Sequence, residues 1–160
     1  MTNAKEIIQL AAQQGINIAT AESCTGGMIA ASLTDIAGSS AVVDRGFVTY
    51  SNEAKHDLLG VPLEALANHG AVSEAVVVAM AEGAAKQVLG NKAISVSVSG
   101  VAGPGGGSDN KPVGLVWFGR TIRVGDVSTT TSYQMNFSGD RAGVRQAATD
   151  FGLSLIRDAL

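Results

Sequence analysis

Ile16-Asn17-Ile18-Ala19-Thr20-Ala21-Glu22-Ser23-Cys24-Thr25-Gly26-Gly27 is the stretch whose reading decides the fold. The alternation of Ile16, Asn17 and Ile18 is that of a β-strand, and the spacing of Ile29, Leu33 and Ile36 just beyond is that of a helix. Thr20 to Gly27 therefore reads as a strand-to-helix elbow. Such a turn lifts one short nucleophilic side chain to the tip of a strand, and the start of the next helix offers backbone N–H groups to a developing anion. Ser23 is the expected nucleophile.

Working outward, Ile7, Leu10 and Ala11 give a first amphipathic helix, with Asn3 and Glu6 spaced as a capping box and Gly15 as its stop. Beyond the elbow helix, Gly38-Ser39-Ser40 forms a loop before a strand running through Phe47, Val48, Thr49 and Tyr50. Ser51 or Asn52 then caps a short helix carrying Lys55 in its first turn, with Gly60 and Pro62 after it. A short helical piece is weakly signalled at Leu63 to Leu66. Ser73 and Glu74 open a long helix with Val77, Met80, Ala84 and Val88 on one face. Ile94, Val96 and Val98 alternate with Ser95, Ser97 and Ser99, a strand with one apolar and one small polar face that leads into the loop Gly100 to Gly107. Strands over 113–124 and 127–137 flank Gly125-Asp126, a pair suited to a hairpin turn, and Asp140 caps a terminal helix. The order α-β-α-β-α-α-β-β-β-α predicts an α/β fold: three α/β/α layers around a mixed sheet.

Bulk properties agree. The 160 residues show no linker-like break, so one domain is expected over 1–160. With 46% hydrophobic, 16% charged and 4% aromatic residues, the core must consist mostly of Ala, Val, Ile and Leu. A net charge of −3 and 11 scattered Lys and Arg argue against nucleic-acid binding. The single cysteine, Cys24, excludes an intrachain disulfide framework. The first residues lack the apolar region of a signal peptide, and no stretch reaches the ~20 residues that span a bilayer. A cytoplasmic protein without a membrane role is expected.

A serine hydroxyl needs a base. His56, beside Lys55, and His69, between Asn68 and Gly70, read as surface histidines. Lys55 is the stronger candidate, because the positive end of the helix dipole and burial would both favour a neutral amine; an ordinary surface lysine is the alternative. Tyr50 could hydrogen-bond the amine or relay a proton, or simply be a half-buried strand tyrosine. Cys24 is the rival nucleophile, but a lone cysteine is more often a small buried hydrophobe, and it points away from Ser23 if the strand period persists. The N–H groups of Thr25, Gly26 and Gly27 could hold an oxyanion or a phosphate. The run from Ser99 to Ser108 lets backbone lie against a ligand; it is neither a P-loop nor a dinucleotide fingerprint. Arg141 and Arg145, one turn apart at a helix start, suit a phosphate or a solvated face. Two isolated histidines and one cysteine give no metal-ligand spacing, so no metal or other cofactor is expected.

Six segments, Thr-Ala-Glu-Ser-Cys-Thr-Gly-Gly (20–27), Tyr-Ser-Asn-Glu-Ala-Lys (50–55), His-Gly-Ala-Val-Ser (69–73), Gly-Val-Ala-Gly-Pro-Gly-Gly-Gly (100–107), Lys-Pro-Val-Gly (111–114) and Gly-Asp-Arg (139–141), carry a resemblance. In order and over nearly the whole chain, the sequence resembles the CinA C-terminal domain family, most closely its stand-alone nicotinamide mononucleotide amidases. The resemblance implies hydrolysis of nicotinamide mononucleotide to nicotinic acid mononucleotide and ammonia, in pyridine nucleotide recycling. By that analogy Ser23 is the nucleophile, Lys55 the base and Tyr50 an assistant. The oxyanion end of the pocket then falls at Thr25, Gly26 and Gly27, the Gly-rich wall at Gly100, Ala102 and Gly103, and the phosphate at Arg141 and Arg145. Some members carry a further N-terminal domain resembling molybdopterin-binding proteins, and nothing of that part transfers. The competing expectation is a catalytically idle pyridine-nucleotide-binding module of the same fold. A role in DNA uptake or damage responses is suggested only by the family's historical name. Exposed sheet edges make a homo-oligomer the expected assembly.

Overall fold

The computed structural model describes residues 4–160, so the capping arrangement expected of Asn3 with Glu6 lies outside the described residues. The chain runs α1 (Ala4–Gln14), β1 (Asn17–Glu22), α2 (Met28–Thr34), β2 (Val43–Val48), α3 (Asn52–Leu59), α4 (Leu63–His69), α5 (Glu74–Gln87), β3 (Lys92–Gly100), β4 (Leu115–Val124), β5 (Val127–Asn136) and α6 (Arg141–Arg157), with a 3₁₀ turn at Ser39–Ala41. Local chemistry accounts for the ends. Ser51, Ser73 and Asp140 cap α3, α5 and α6 through side-chain bonds to the N–H groups of Ala54, Val76 and Gly143. At Gly125-Asp126 the positive φ falls on the glycine alone, the pattern of a II′ turn, and Val124 pairs with Val127 across it.

The strands form one mixed sheet in the order β2-β1-β3-β4-β5. β1 lies parallel to both β2 and β3, while β3, β4 and β5 are antiparallel neighbours. The chain winds outward from β1 to β2 and then crosses back to β3. The winding therefore reverses between β1 and β3, and in open α/β sheets ligands bind in the crevice that such a reversal opens at the strand C-termini. Ser23 follows β1, and the Gly-rich loop follows β3.

Helices cover both faces. One core packs α1, α2 and α6 on the sheet through Ile7, Ile18, Ile29, Leu33, Val96, Phe118 and Ile156; the other packs α3, α4 and α5 through Ala19, Ala21, Leu59, Leu66, Val77 and Met80. The serine face of β3 is buried under α5 rather than turned to water. Ser95 and Ser97 donate to the α5 carbonyls of Ala81 and Val77, both at 2.6 Å, so small hydroxyls satisfy themselves and let the helix approach closely.

Three expectations shift. The weak piece at Leu63 to Leu66 is a true helix, α4, extending to His69. β2 stops at Val48, so Tyr50 is not a strand residue: its partner β1 ends at Glu22, whose carbonyl takes the Thr49 N–H, and nothing pairs beyond. β4 begins at Leu115 because Gly114 turns with φ +94°.

Candidate active site

At the C-terminal end of the sheet, a cleft of about 300 Å³ is lined by Ser23, Cys24, Tyr50, Ala71, Val72, Ser99, the loop from Gly100 to Gly106 without Pro104, and Arg141. Lys55, from α3, lies against Ser23. The lysine is fully buried, and its Nζ lies 3.1 Å from Ser23 Oγ, 2.7 Å from the Thr49 carbonyl, 3.3 Å from that of Tyr50 and 3.5 Å from that of Ser51. Among the described residues no carboxylate forms an ion pair with it. Burial lowers its pKa from 10.5 to about 8. A neutral amine has two hydrogens and one lone pair. The surrounding carbonyls can only accept, so they take the hydrogens, and the one neighbour with a proton to give is the Ser23 hydroxyl.

Cys24 differs from its neighbour. Its side chain belongs to the core on the α1, α2 and α6 side, and burial pushes the thiol up to about 11. A thiol held protonated is a poor nucleophile. The histidines stand apart: His56 Nδ1 meets the Val61 carbonyl at 2.8 Å, and the exposed His69 accepts a bond from Lys111 Nζ on its backbone oxygen.

The elbow is built around a buried carboxylate that sequence reasoning passed over. Glu22, the last residue of β1, accepts bonds from Thr20 Oγ1 at 3.2 Å, Thr25 Oγ1 at 2.7 Å, the Ile29 N–H at 2.9 Å and the Ala30 N–H at 3.0 Å. Gly27, at the N-cap, has no side chain, so the strand supplies the cap that α2 lacks. The signal lay in a charged residue closing an otherwise uncharged strand next to a helix without a capping side chain. Its consequence is that part of the helix start, expected to be open to an anion, is already occupied, and the Thr25 hydroxyl is committed to Glu22. The Gly26 N–H is also taken, by the Ser23 carbonyl at 3.0 Å.

The remaining expected residues divide. Gly100, Ala102 and Gly103 line the cleft. Arg141 lines it too, donating to the Gly103 carbonyl at 2.8 Å and to the Tyr50 hydroxyl at 3.3 Å. Tyr50 is 63% exposed; only its backbone carbonyl, not its hydroxyl, meets Lys55. Arg145 does not line this cleft. It donates to the carbonyls of Cys24 and Thr25 and borders a neighbouring cavity of about 480 Å³. Among the described residues no cluster of His, Cys, Asp and Glu could hold a metal, and no helix is long and apolar enough to cross a membrane.

The molecule is thus an open mixed α/β sheet with a buried Ser–Lys pair at its switch point. The chain belongs to the CinA C-terminal domain family, whose model matches residues 1–160. Among its relatives, the Nicotinamide-nucleotide amidohydrolase PncC of Escherichia coli (strain K12) is 52% identical over 158 residues, covering 94% of this chain and 93% of that protein. The protein of the same name from Enterobacter agglomerans is 56% identical over 136 residues, 85% of this chain and 80% of that one. Among solved structures, the competence/damage inducible protein CihA from Agrobacterium tumefaciens superposes with a TM-score of 0.91 at 46% identity, over 97% of this chain and 92% of that one.

Proposed function

We propose that this chain is a nicotinamide-nucleotide amidohydrolase that converts nicotinamide mononucleotide to nicotinic acid mononucleotide and ammonia, with Ser23 as nucleophile and Lys55 as base. The observation that carries the reading is the 3.1 Å contact between Ser23 Oγ and a buried Lys55 Nζ whose other neighbours are carbonyls. Relatives named for this reaction match over nearly the whole chain.

In the first step Ser23 Oγ attacks the carboxamide carbon while its proton passes to Lys55 Nζ. The carbonyl oxygen becomes an oxyanion held by backbone N–H groups of the elbow. Collapse breaks the C–N bond as the Lys55 ammonium returns a proton to the departing nitrogen, leaving ammonia and a seryl ester. Water then gives a proton to Lys55 and attacks the ester carbon, and Ser23 leaves as a hydroxyl once Lys55 reprotonates it. Arg141, at the cleft wall, holds the phosphate. The Tyr50 hydroxyl bonds Arg141 and so acts on the nucleotide side of the cleft, while its carbonyl helps seat the amine.

Product identity tests the reading. Nicotinamide mononucleotide incubated with the purified protein should give nicotinic acid mononucleotide and ammonia in equal amounts. Ligand that binds and is recovered unchanged would instead identify an idle nucleotide-binding module.

A further inference from the structure

Arg145 sits one turn after Arg141 on α6, yet its guanidinium is spent on backbone. Nε donates to the Cys24 carbonyl at 3.0 Å and Nη2 to the Thr25 carbonyl at 3.3 Å. The preceding carbonyl, of Ser23, accepts from the Gly26 N–H at 3.0 Å, and the Thr25 carbonyl also accepts from Met28 N–H at 3.2 Å. Three successive peptide groups of the elbow are therefore pinned by their oxygens. Each is trans, since the one cis bond among the described residues is Gly103–Pro104. In a planar trans peptide the N–H points opposite to the C=O, so fixing these oxygens also fixes the N–H directions of Cys24, Thr25 and Gly26. The Gly26 N–H is consumed within the turn. That of Thr25, opposite the Cys24 carbonyl that Arg145 holds, is turned away from α6, whereas that of Cys24 is set by the Gly26 bond to the Ser23 carbonyl and lies against its own thiol.

We infer that Arg145 is a positioning residue, which locks the elbow so that the Thr25 N–H is presented to the oxyanion, and that it does not hold the substrate phosphate. The inference rests on the amidase reading. The planar fork of an arginine can bridge two adjacent carbonyls, which a single ammonium cannot do in the same geometry. The guanidinium packs closely over Gly26, where a Cβ would lie 3.3 Å from Nη2. Among the described residues no carboxylate forms an ion pair with Arg145, so its charge is directed at the oxygen ends of peptide dipoles and strengthens their N–H ends as donors.

The test compares wild type with Arg145→Gln and Arg145→Lys on nicotinamide mononucleotide and on nicotinamide riboside, which lacks the phosphate. A second readout is the rate at which a small fluorophosphonate labels Ser23. In both variants kcat should fall on the order of 10- to 100-fold on both substrates, with KM held within about two-fold and labelling slowed in step. A rise in KM with kcat preserved, confined to the phosphorylated substrate, would assign Arg145 to the phosphate and overturn the inference, as would unchanged kinetics and labelling. If the wild type releases no ammonia, the amidase reading is what fails, and the labelling rate alone decides: slowed in the variants supports the lock, unchanged rejects it. Should Arg145→Gln not fold, Arg145→Lys carries the same readouts.

Discussion

In the proposed mechanism Lys55 is the residue on which the chemistry turns, because a lysine is useful as a base only once it has lost its proton. Burial lowers its pKa to about 8. The sign of the pH dependence follows: below that pKa the amine carries a proton and cannot accept another, so kcat/KM should fall about tenfold per pH unit on the acid side, with an apparent pKa near 8. A pH–rate profile checks this, and an acid limb well below that value would point to a different base. The sequence shows Lys55 in the first turn of a helix but not that its side chain folds back under the strand tip, since that depends on where β2 ends. Glu22 is the other residue whose role is set by partners distant in the chain. Its replacement by glutamine keeps the shape but turns one oxygen into a donor facing another donor, leaving an unpaired buried N–H or hydroxyl. Glu22→Gln should cost about 1–3 kcal/mol, read from urea denaturation.

At the scale of elements, the position of α3 decides whether Lys55 can reach Ser23, and α3 is fixed by its contact with α5. Gly83 of α5 has no room for a side chain: a Cβ would lie 1.9 Å from the Leu59 carbonyl oxygen at the end of α3. Gly83→Ala should therefore push the two helices apart, destabilise the protein by about 1–3 kcal/mol and lower kcat through the displaced amine. Denaturation and steady-state kinetics on the same preparation test both parts. The sequence placed Gly60 just after the Lys55 helix, and Gly83 fell within a helix by its neighbours' spacing, so its reason was not visible. Elements whose ends carry their own chemistry, such as α5 behind Ser73 and α6 behind Asp140, were legible. β2 was not, because its length is set by its partner strand.

For the molecule as a whole, the sheet order brings to one edge of the structure three segments that the sequence keeps far apart: the elbow after β1, the loop after β3 and the start of α6. Layering and the mixed sheet could be read from element order alone. The different partners of Arg141 and Arg145 could not, since equal spacing on a helix says nothing about which groups each guanidinium meets. Arg141 bonds the Gly103 carbonyl and the Tyr50 hydroxyl at the cleft wall, so Arg141→Gln should raise KM for nicotinamide mononucleotide by about tenfold or more while sparing nicotinamide riboside. Comparing the two substrates measures that phosphate contribution directly. The most direct test of the central claim is ammonia release from nicotinamide mononucleotide by the wild type beside Ser23→Ala, Lys55→Ala and Cys24→Ala. The Ser–Lys account predicts a loss of at least ~10³-fold for the first two and near-wild-type rates for the third. Activity that survives without Ser23 or Lys55, or disappears with Cys24, would contradict it.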